Sequence, residues 1–265
     1  MNDMFLDNLC NRIQDAEREA AELFLHARSI LAETKTSRRD FVTEYDRRVQ
    51  EMLTQKLREV LPDAHFFCEE MNEQDSLDAE HLFVIDPIDG TMNFVRGLHH
   101  SCISVAYVNR GTACIGAIYN PYVDEMFTAI RGRGARLNGR AIHVADTGLS
   151  ESVVCFGTSP YAPALQARSV ELAGKLLAES LDLRREGSAA LDLCSVASGR
   201  AGLYFELQLS LWDYAAGALI VEEAGGQCCT IDGGCFPSDG SKTSLLAGSP
   251  AAVSDFFRLV EQSSL

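Results

Sequence analysis

Two aspartates, Asp86 and Asp89, follow the apolar run Leu82 to Ile85 and are the side chains of this sequence best suited to chemistry. The run is typical of a short buried strand, and Pro87 predicts that the strand ends at Asp86, because proline cannot continue a β-ladder. Two carboxylates this close together on a turn repel each other and favour a hard divalent cation, with the carbonyl of Ile88 as a further oxygen ligand. The alternative is a purely structural turn, since Asp-Pro and Asp-Gly pairs commonly form one.

The two residues after Asp89 form a candidate anion site. Gly90 and Thr91 offer unobstructed backbone N–H groups. If a helical turn begins there, these donors and the helix dipole bind phosphate. The sequence therefore predicts a metal site and a phosphate site next to each other.

Further carboxylates lie at the end of another predicted strand. Glu69 and Glu70 follow the apolar run Ala64 to Cys68, and ligands in α/β proteins collect where strands end. Either glutamate is a candidate third metal ligand, and a solvated acidic loop is the alternative.

Asp213 opens a second informative segment. Apolar residues recur after it at helical spacing and stop at Gly225-Gly226, which places Asp213 at the N-cap or in the first turn of a helix. A helix cap is the plain explanation for an aspartate in this position. The preceding residue, Trp212, is the only tryptophan in the chain. It predicts that Asp213 is partly shielded from water, whereas a residue that only caps a helix is usually exposed.

Three segments together resemble the signature blocks of the inositol monophosphatase family, in the order and approximate spacing of that family. They are Glu69-Glu70, Asp86-Pro-Ile-Asp-Gly-Thr-Met-Asn-Phe94, and Trp212-Asp-Tyr-Ala-Ala-Gly217 continued by Glu223-Ala-Gly-Gly226. The resemblance extends from about Lys35 to about Gly248 and includes two further blocks, Asp40 to Asp46 and Gly187 to Cys194. The basic segment Thr34 to Arg39 is interpreted as a solvated loop, with attraction of substrate phosphate as the alternative.

The resemblance implies a role for each matched residue. Magnesium ions, two or three of them, would be held by Glu69, Asp86, the carbonyl of Ile88, Asp89 and Asp213. The catalytic residues would be Asp46 and Thr91, which orient and deprotonate the attacking water, together with Glu69. Glu206 would accept a hydroxyl of the substrate. The full set of implied substrate contacts is Glu69, Ile88, Asp89, Gly90, Thr91, Gly187, Ser188, Ala189, Glu206 and Asp213.

These roles predict magnesium-dependent hydrolysis of a phosphate monoester, with inositol monophosphate as the substrate. In that reaction water attacks in line with the leaving oxygen, and metal ions stabilise both oxygens. Because the metals grip only the phosphate, other substrates stay open: fructose 1,6-bisphosphate, 3′-phosphoadenosine 5′-phosphate, NADP and histidinol phosphate. A moonlighting binding protein on the same fold is the alternative from a different class, and the intact carboxylates argue against it.

Composition narrows the partners and the location. The chain has 265 residues, 46% of them hydrophobic, with a net charge of -15 and a pI near 4.8. This acidity argues against nucleic-acid binding, which depends on clustered Lys and Arg. The amino terminus lacks a basic region before an apolar core, and no apolar run approaches the roughly 18 residues of a membrane span, so we predict a cytoplasmic protein without membrane contact. The nine cysteines lack paired metal-ligand spacing and are interpreted as reduced thiols.

Hydrophobic periodicity predicts the elements that carry these residues. Predicted helices span Asp3 to Glu33, Thr43 to Leu61, Leu165 to Glu179, Ser188 to Ser198, Trp212 to Ala224 and Ala251 to Gln262. Predicted strands span Phe66 to Cys68, Leu82 to Ile85, Cys102 to Asn109, Ala113 to Asn120, Glu125 to Ile130, Ser152 to Phe156, Leu181 to Arg184, Leu203 to Leu207 and Ser244 to Ala247. Short links predict antiparallel pairing among the middle strands, and Asn138-Gly139 predicts a tight type I′ hairpin turn.

This order of elements predicts an α/β (α+β) fold. Residues 1–150 form the predicted N-terminal half, with two helices and a largely antiparallel sheet, and residues 151–265 form a C-terminal half of alternating strands and helices. The two halves are predicted to pack as one compact unit. The resemblance implies a layered α-β-α-β-α sandwich of the inositol monophosphatase and fructose-1,6-bisphosphatase type, with the metal site between the halves, and it also implies a homodimer.

Overall fold

The computed structural model describes residues 2–27, 32–34, 41–71 and 73–262. Within these ranges the helices are α1 (Asp3–Leu25), α2 (Glu44–Val60), α3 (Thr91–Arg96), α4 (Pro163–Glu179), α5 (Ala189–Ala197), α6 (Leu211–Glu223) and α7 (Pro250–Gln262). The strands are β1 (Ala32–Thr34), β2 (Phe41–Thr43), β3 (His65–Cys68), β4 (Leu82–Asp89), β5 (Cys102–Asn109), β6 (Thr112–Asn120), β7 (Glu125–Ile130), β8 (Ala135–Leu137), β9 (Arg140–Ile142), β10 (Val153–Phe156), β11 (Asp182–Arg184), β12 (Leu203–Leu209), β13 (Gln227–Cys229) and β14 (Thr243–Gly248). Beyond Thr34, the basic segment predicted as a loop lies outside the described residues.

Two large sheets alternate with layers of helices. The seven-stranded sheet has the order β3-β4-β5-β6-β7-β8-β9, the five-stranded sheet has the order β11-β10-β12-β14-β13, and β1 pairs with β2. Helices α1 and α2 cover one face of the seven-stranded sheet, α5 and α6 fill the space between the sheets, and α4 and α7 cover the outer face of the five-stranded sheet. Each helix layer buries an apolar face against a sheet, which confirms the predicted α-β-α-β-α sandwich.

Strand β4 is longer than predicted and carries both aspartates of the first motif. It continues through Pro87 to Asp89, so the predicted end at Asp86 is wrong. Asp86 pairs with Ser104 of β5 and Asp89 pairs with Cys102, so the register shifts by one residue between the two pairs. In such a bulge the ladder is interrupted, and the N–H that proline lacks is not needed.

Helix α2 begins with a reciprocal cap that fixes Asp46. Thr43 is the N-cap, and its side chain accepts hydrogen bonds from the N–H groups of Tyr45 and Asp46. The Asp46 carboxylate in turn accepts from the Thr43 N–H, which completes a capping box. The start of α2 and the side-chain direction of Asp46 are therefore set together.

The first predicted helix is wrong at its carboxyl end. Helix α1 ends at Leu25, and Ala32 and Glu33, which the periodicity assigned to the same helix, belong to strand β1 (Ala32–Thr34). Ala32 and Thr34 pair with Thr43 and Phe41 of β2. Pairing with the next strand has here overridden the local helical pattern.

The remaining elements follow the predicted order. The antiparallel pairing of β5, β6 and β7 is confirmed, and Asn138 and Gly139 have φ values of 49° and 78°, as a type I′ turn requires. After residue 150 the predicted alternation of strands and helices is present, although β10 pairs in parallel with β11 and β12 while β14 is antiparallel to β12 and β13. The division at residue 150 into two halves stays a prediction.

The cysteines and the helices can be compared with two expectations from the sequence, reduced thiols and the absence of a membrane span. All nine cysteines are free thiols, and five of them are buried. Among the described helices, none combines the length and the apolar character that crossing a bilayer requires.

Candidate metal and phosphate site

A cavity of about 420 Å³ lies where the carboxyl end of β4, the start of α6 and the start of α5 meet. Its lining is strongly acidic and includes most of the residues predicted from the sequence. Those predicted residues are Glu69, Asp86, Ile88, Asp89, Gly90, Thr91, Gly187, Ser188, Ala189, Glu206 and Asp213. Tertiary structure thus brings together segments that are far apart along the chain.

Three aspartates form a compact acidic cluster at one end of this cavity. One carboxylate oxygen from each of Asp86, Asp89 and Asp213 lies within 4.8 Å of the others. Asp86 and Asp89 reach this point from the bulge in β4. Asp213 reaches it from the first turn of α6, where its carboxylate accepts a hydrogen bond of 2.6 Å from the Ser210 N–H in a capping box. Asp213 is therefore both a helix cap and a member of the cluster, and the two explanations offered by the sequence are compatible.

The electrostatics of the cluster fit a divalent cation. Burial and then repulsion, with Glu69 as the strongest repelling neighbour, raise the pKa of Asp86 well above its ordinary value. Burial and repulsion from Asp89 and Glu69 raise the pKa of Asp213 in the same way. In the part of the chain that the structure describes, no Lys or Arg forms an ion pair with the three aspartates. A hard divalent ion brings positive charge to such a cluster and prefers oxygen ligands.

Glu69 is the member of its pair that faces this cluster. It follows β3 directly, and its N–H donates to the Ile85 carbonyl at 3.2 Å, which keeps the chain beside β4. Glu69 lines the cavity, whereas the Glu70 N–H donates to Oε1 of Gln50 at 2.9 Å. The choice between the two glutamates that the strand end left open thus favours Glu69.

Asp89 is held by donors from the second half of the chain. Ser188 Oγ donates to Asp89 Oδ2 at 2.5 Å and the Ala190 N–H donates to the same oxygen at 2.7 Å. Burial raises the pKa of Asp89, and these hydrogen bonds oppose that rise. Ser188 also caps α5 through the Leu191 N–H, at 3.3 Å. The Ser188 hydroxyl therefore supports Asp89.

Asp46 and Thr91 form a chain of hydrogen bonds beside the cluster. Asp46 Oδ2 accepts from Thr43 Oγ1 at 2.5 Å and from the Thr43 N–H at 2.7 Å. Thr91 Oγ1 lies 3.4 Å from Asp46 Oδ1 and 3.1 Å from the Ile88 carbonyl oxygen. This arrangement leaves Oδ1 as the side of Asp46 that faces Thr91.

Gly90 marks the start of a short helix, as the phosphate-site hypothesis required. It is the N-cap of α3, with φ of 88°, and its carbonyl accepts from the Phe94 N–H at 3.0 Å. A Cβ at Gly90 would lie 3.0 Å from the His100 carbonyl oxygen and 3.3 Å from that of Gly187. Both the left-handed backbone and the close approach of neighbouring chain therefore require glycine.

Glu206 lies at the other end of the cavity and is well satisfied. Its carboxylate accepts from the Ser159 N–H at 2.8 Å and from the Tyr204 hydroxyl at 2.9 Å. Burial raises the pKa of Glu206, and these two hydrogen bonds and the charge of Arg185 oppose the rise. A Cβ on Gly157 would collide with Glu206 Oε2, so glycine is needed there.

Sequence reasoning missed several residues of the cavity wall. Asp192 is 1% exposed and lines the cavity, and its Oδ1 has no hydrogen-bond partner among the described residues. Arg185 is the basic side chain among the described residues of the lining, and Gly157 faces Glu206. An aspartate inside the apolar stretch Ala189 to Cys194 was a usable signal for Asp192. Nothing in the local sequence distinguishes Arg185 from the adjacent Arg184.

Fold and site together define a class: a layered α/β protein with a buried carboxylate cluster beside a helix start. A model of the inositol monophosphatase family matches residues 7–264. The chain belongs to this family, as the resemblance in its sequence indicated.

Known proteins extend this likeness over nearly the whole chain. The Nus factor SuhB of Pasteurella multocida is 37% identical over 236 residues, which are 88% of this chain and 87% of that protein. The solved IMPase of Thermotoga maritima superposes with a TM-score of 0.86 at 30% identity and covers 97% of both chains. A solved IMPase/NADP phosphatase complexed with Mg²⁺ and phosphate has a TM-score of 0.82 at 25% identity, and it covers 96% of this chain and 94% of its own.

Proposed function

We propose that this protein is a magnesium-dependent phosphate monoester hydrolase and that inositol monophosphate is its preferred substrate. The observation that carries the proposal is the set of three aspartate oxygens within 4.8 Å of one another, from the buried Asp86 and Asp89 and the half-buried Asp213. They lie beside a helix start and open into a cavity large enough for a small phosphorylated polyol. The family supports the reaction type.

The metal ligands in this proposal are those predicted from the sequence: Glu69, Asp86, the Ile88 carbonyl, Asp89 and Asp213, for two or three ions. Magnesium, when bound, supplies Lewis-acid stabilisation of the charge that develops on the phosphoryl and leaving oxygens. The carboxylates offer the oxygen ligands that magnesium prefers. The raised pKa values of Asp86 and Asp213 reflect burial and mutual repulsion, which a bound cation would offset.

The chain's own residues prepare the attacking water and hold the phosphate. Thr91 lines the cavity, whereas Asp46 is fully buried behind it. The Thr91 hydroxyl orients that water and takes a proton from it while it passes its own proton to Asp46 Oδ1, 3.4 Å away. The two bonds from Thr43 hold Oδ2 and prevent the carboxylate from rotating. The N–H groups of Gly90 and Thr91 donate to phosphate oxygens, since helix starts favour anions.

The leaving alcohol occupies the end of the cavity near Glu206. The Glu206 carboxylate keeps lone pairs beyond the two already used and accepts a substrate hydroxyl. Gly187, Ser188 and Ala189 contact the substrate through their backbone, because the Ser188 hydroxyl is engaged by Asp89. A hydroxyl-rich alcohol such as inositol suits this end best.

The test is phosphate release from a panel of substrates, with Mg²⁺ and with a chelator. The panel contains inositol 1-phosphate, fructose 1,6-bisphosphate, 3′-phosphoadenosine 5′-phosphate, NADP and histidinol phosphate. Magnesium-dependent release that is fastest for inositol 1-phosphate is the expected result. A different best substrate would keep the chemistry and overturn the substrate, and release from none of them would overturn the proposal.

A second, binding role is a candidate because curated relatives at 37–39% identity carry the name Nus factor SuhB. We propose that the chain combines such a role with catalysis, as a cytoplasmic homodimer. The Asp86→Asn variant separates the two roles, since it removes a metal ligand inside the cavity and leaves the outer surface unchanged. Retained partner binding in a pull-down together with lost hydrolysis is expected, and loss of both would contradict separate roles.

The proposed dimer is tested separately, by light scattering, which measures the molar mass of the protein in solution.

A further inference from the structure

Asn93 links two chain segments directly beneath the site. It lies in α3 and is 4% exposed. Its Nδ2 donates to the His100 carbonyl at 2.7 Å and to the Glu186 carbonyl at 2.8 Å. His100 lies in the link that leads to β5, and Glu186 lies in the link between β11 and α5. Both hydrogens of one buried amide are therefore used to join the two links.

A second pair of hydrogen bonds joins the same two parts of the chain, with the donors now on the segment that begins α5. Ser188 Oγ and the Ala190 N–H donate to Asp89, at 2.5 and 2.7 Å. The segment around residue 187 thus gives two donors to the β4–α3 segment and receives one donor from it. These reciprocal bonds fix how the two segments lie against each other.

The backbones that these bonds hold together are in close contact. Gly90 and Gly187 both have φ of 88°. A Cβ on Gly90 would lie 3.3 Å from the Gly187 carbonyl oxygen, and a Cβ on Gly187 would lie 3.2 Å from Asn93 Nδ2. A shift of a few tenths of an ångström in either segment changes the spacing between the predicted phosphate donors and the predicted substrate contacts.

We propose that Asn93 is a positioning residue: its amide sets the distance between Gly90 and Gly187, and so fixes the geometry in which phosphate and leaving group are held. The inference rests on the proposed function for its kinetic consequence. Asn93 does not touch the reacting atoms in this scheme. It acts through the two carbonyl groups that it binds.

A positioning role and a purely stabilising role of Asn93 have different effects on kcat and KM. If Asn93 only stabilised the fold, its loss would reduce the fraction of folded molecules, which lowers kcat and leaves KM unchanged. If Asn93 positions the phosphate site, each folded molecule binds phosphate more weakly. KM for the substrate and the inhibition constant of inorganic phosphate then rise together.

The test compares Asn93→Ala with Glu186→Gln. Glu186→Gln removes the carboxylate from the contact between Glu186 Oε2 and His100 Nε2, at 3.1 Å, which is a more exposed link between the same two residues. For Asn93→Ala we expect KM for inositol 1-phosphate and the inhibition constant of inorganic phosphate to rise about tenfold, as expected when buried hydrogen bonds are lost. For Glu186→Gln we expect less than about a twofold change.

Unchanged KM and inhibition constants in folded Asn93→Ala, or an equal effect of Glu186→Gln, would overturn the inference. If Asn93→Ala does not fold, Asn93→Ser replaces it, because this variant brings no charge to the two carbonyl oxygens and keeps at most one of the two donors. If no substrate is hydrolysed, the proposed function fails, and calorimetric titration of inorganic phosphate with Mg²⁺ still tests Asn93. Weaker phosphate binding by the variant supports the inference, and equal binding, or none by the wild type, overturns it.

Discussion

Two groups of buried carboxylates share one cavity, and they differ in how their charge is balanced. At the proposed metal end, formed by Asp86, Asp89 and Asp213, burial raises the pKa values of Asp86 and Asp213, and neighbouring acidic groups raise them further. At the other end, Glu206 is also buried but receives hydrogen bonds from Ser159 and Tyr204, and the charge of Arg185 acts on it.

The difference separates a carboxylate cluster that an added cation would stabilise from a carboxylate that the protein's own donors partly compensate. Clustered carboxylates are costly unless a positive ion joins them, whereas a single hydrogen-bonded carboxylate is stable and can accept one more donor. We therefore expect changes at the metal end to affect turnover and metal-dependent stability. Changes at the Glu206 end should affect the choice of substrate.

The largest expected effect comes from Asp213→Asn. This change removes a negative oxygen from the cluster and should lower kcat by about a thousandfold or more, because metal stabilisation of the transition state contributes several kcal/mol. Asp89→Asn should act similarly. Phosphate release with Mg²⁺ is the measurement, and Asp182→Asn, at an exposed aspartate paired with Arg184, is the control. Release at the wild-type rate from Asp213→Asn would contradict the metal assignment.

Stability without metal should depend on pH in a direction set by the same cluster. Because the folded pKa values of Asp86 and Asp213 are raised, the folded state binds protons more tightly than the unfolded state. Their contribution to stability is present below the ordinary carboxyl pKa of about 4 and is lost as the pH rises through the raised values.

Thermal unfolding at a series of pH values, with chelator and with Mg²⁺, measures this dependence. In chelator at pH 8, Asp213→Asn should unfold at a higher temperature than the wild type, since it removes one repelling charge. Added Mg²⁺ should stabilise the wild type and have less effect on the variant. A wild type with the same unfolding temperature in chelator and in Mg²⁺ would argue against the cluster as a metal site.

A smaller and more selective effect is expected from Glu206→Gln. The amide keeps the size of the side chain and weakens its acceptance of a substrate hydroxyl, so kcat/KM for inositol 1-phosphate should fall about tenfold to a hundredfold. The loss should be smaller for substrates without a hydroxyl in that position. An equal loss on every member of the substrate panel would count against this role.

The smallest effect is expected from Arg185→Gln. Arg185 is exposed, and its hydrogen bond to Thr158 Oγ1 is long, at 3.4 Å. Loss of its charge acts through Glu206 and should change KM by less than about threefold. Arg184→Gln is the matched control, because Arg184 is the adjacent exposed arginine and pairs with Asp182. A loss larger than that of Glu206→Gln would mean that Arg185 binds the substrate directly.

Much of the proposed metal end was predictable because most of its residues are close together in the sequence. Asp86, Asp89, Gly90 and Thr91 lie within six consecutive residues, so one strand end delivers all four to the same place. The error was in the backbone between them: the strand continues past Pro87 because a bulge, which depends on pairing with β5, accommodates the proline. Asp213 was predictable as a first-turn residue from its position before a helical pattern.

The surroundings of Glu206 and the hydrogen bonds of Asn93 could not be predicted, because they depend on contacts between residues that are distant in the sequence. Arg185 and Arg184 are adjacent and chemically identical, and only the path of the chain places the first against the cavity and the second against Asp182. Gly157 follows β10 and must be glycine because Glu206 of β12 lies against it.

The sequence by itself determined the order of most helices and strands, since hydrophobic periodicity is a local property, and it determined which carboxylates are candidates for the metal. Only the tertiary structure decided that α1 ends at Leu25, that Glu69 faces the cluster, and that Ser188 holds Asp89. Each of these outcomes depends on a hydrogen bond or a close approach between different elements of the fold. Such contacts leave no periodic signal along the chain, so folding alone determines them.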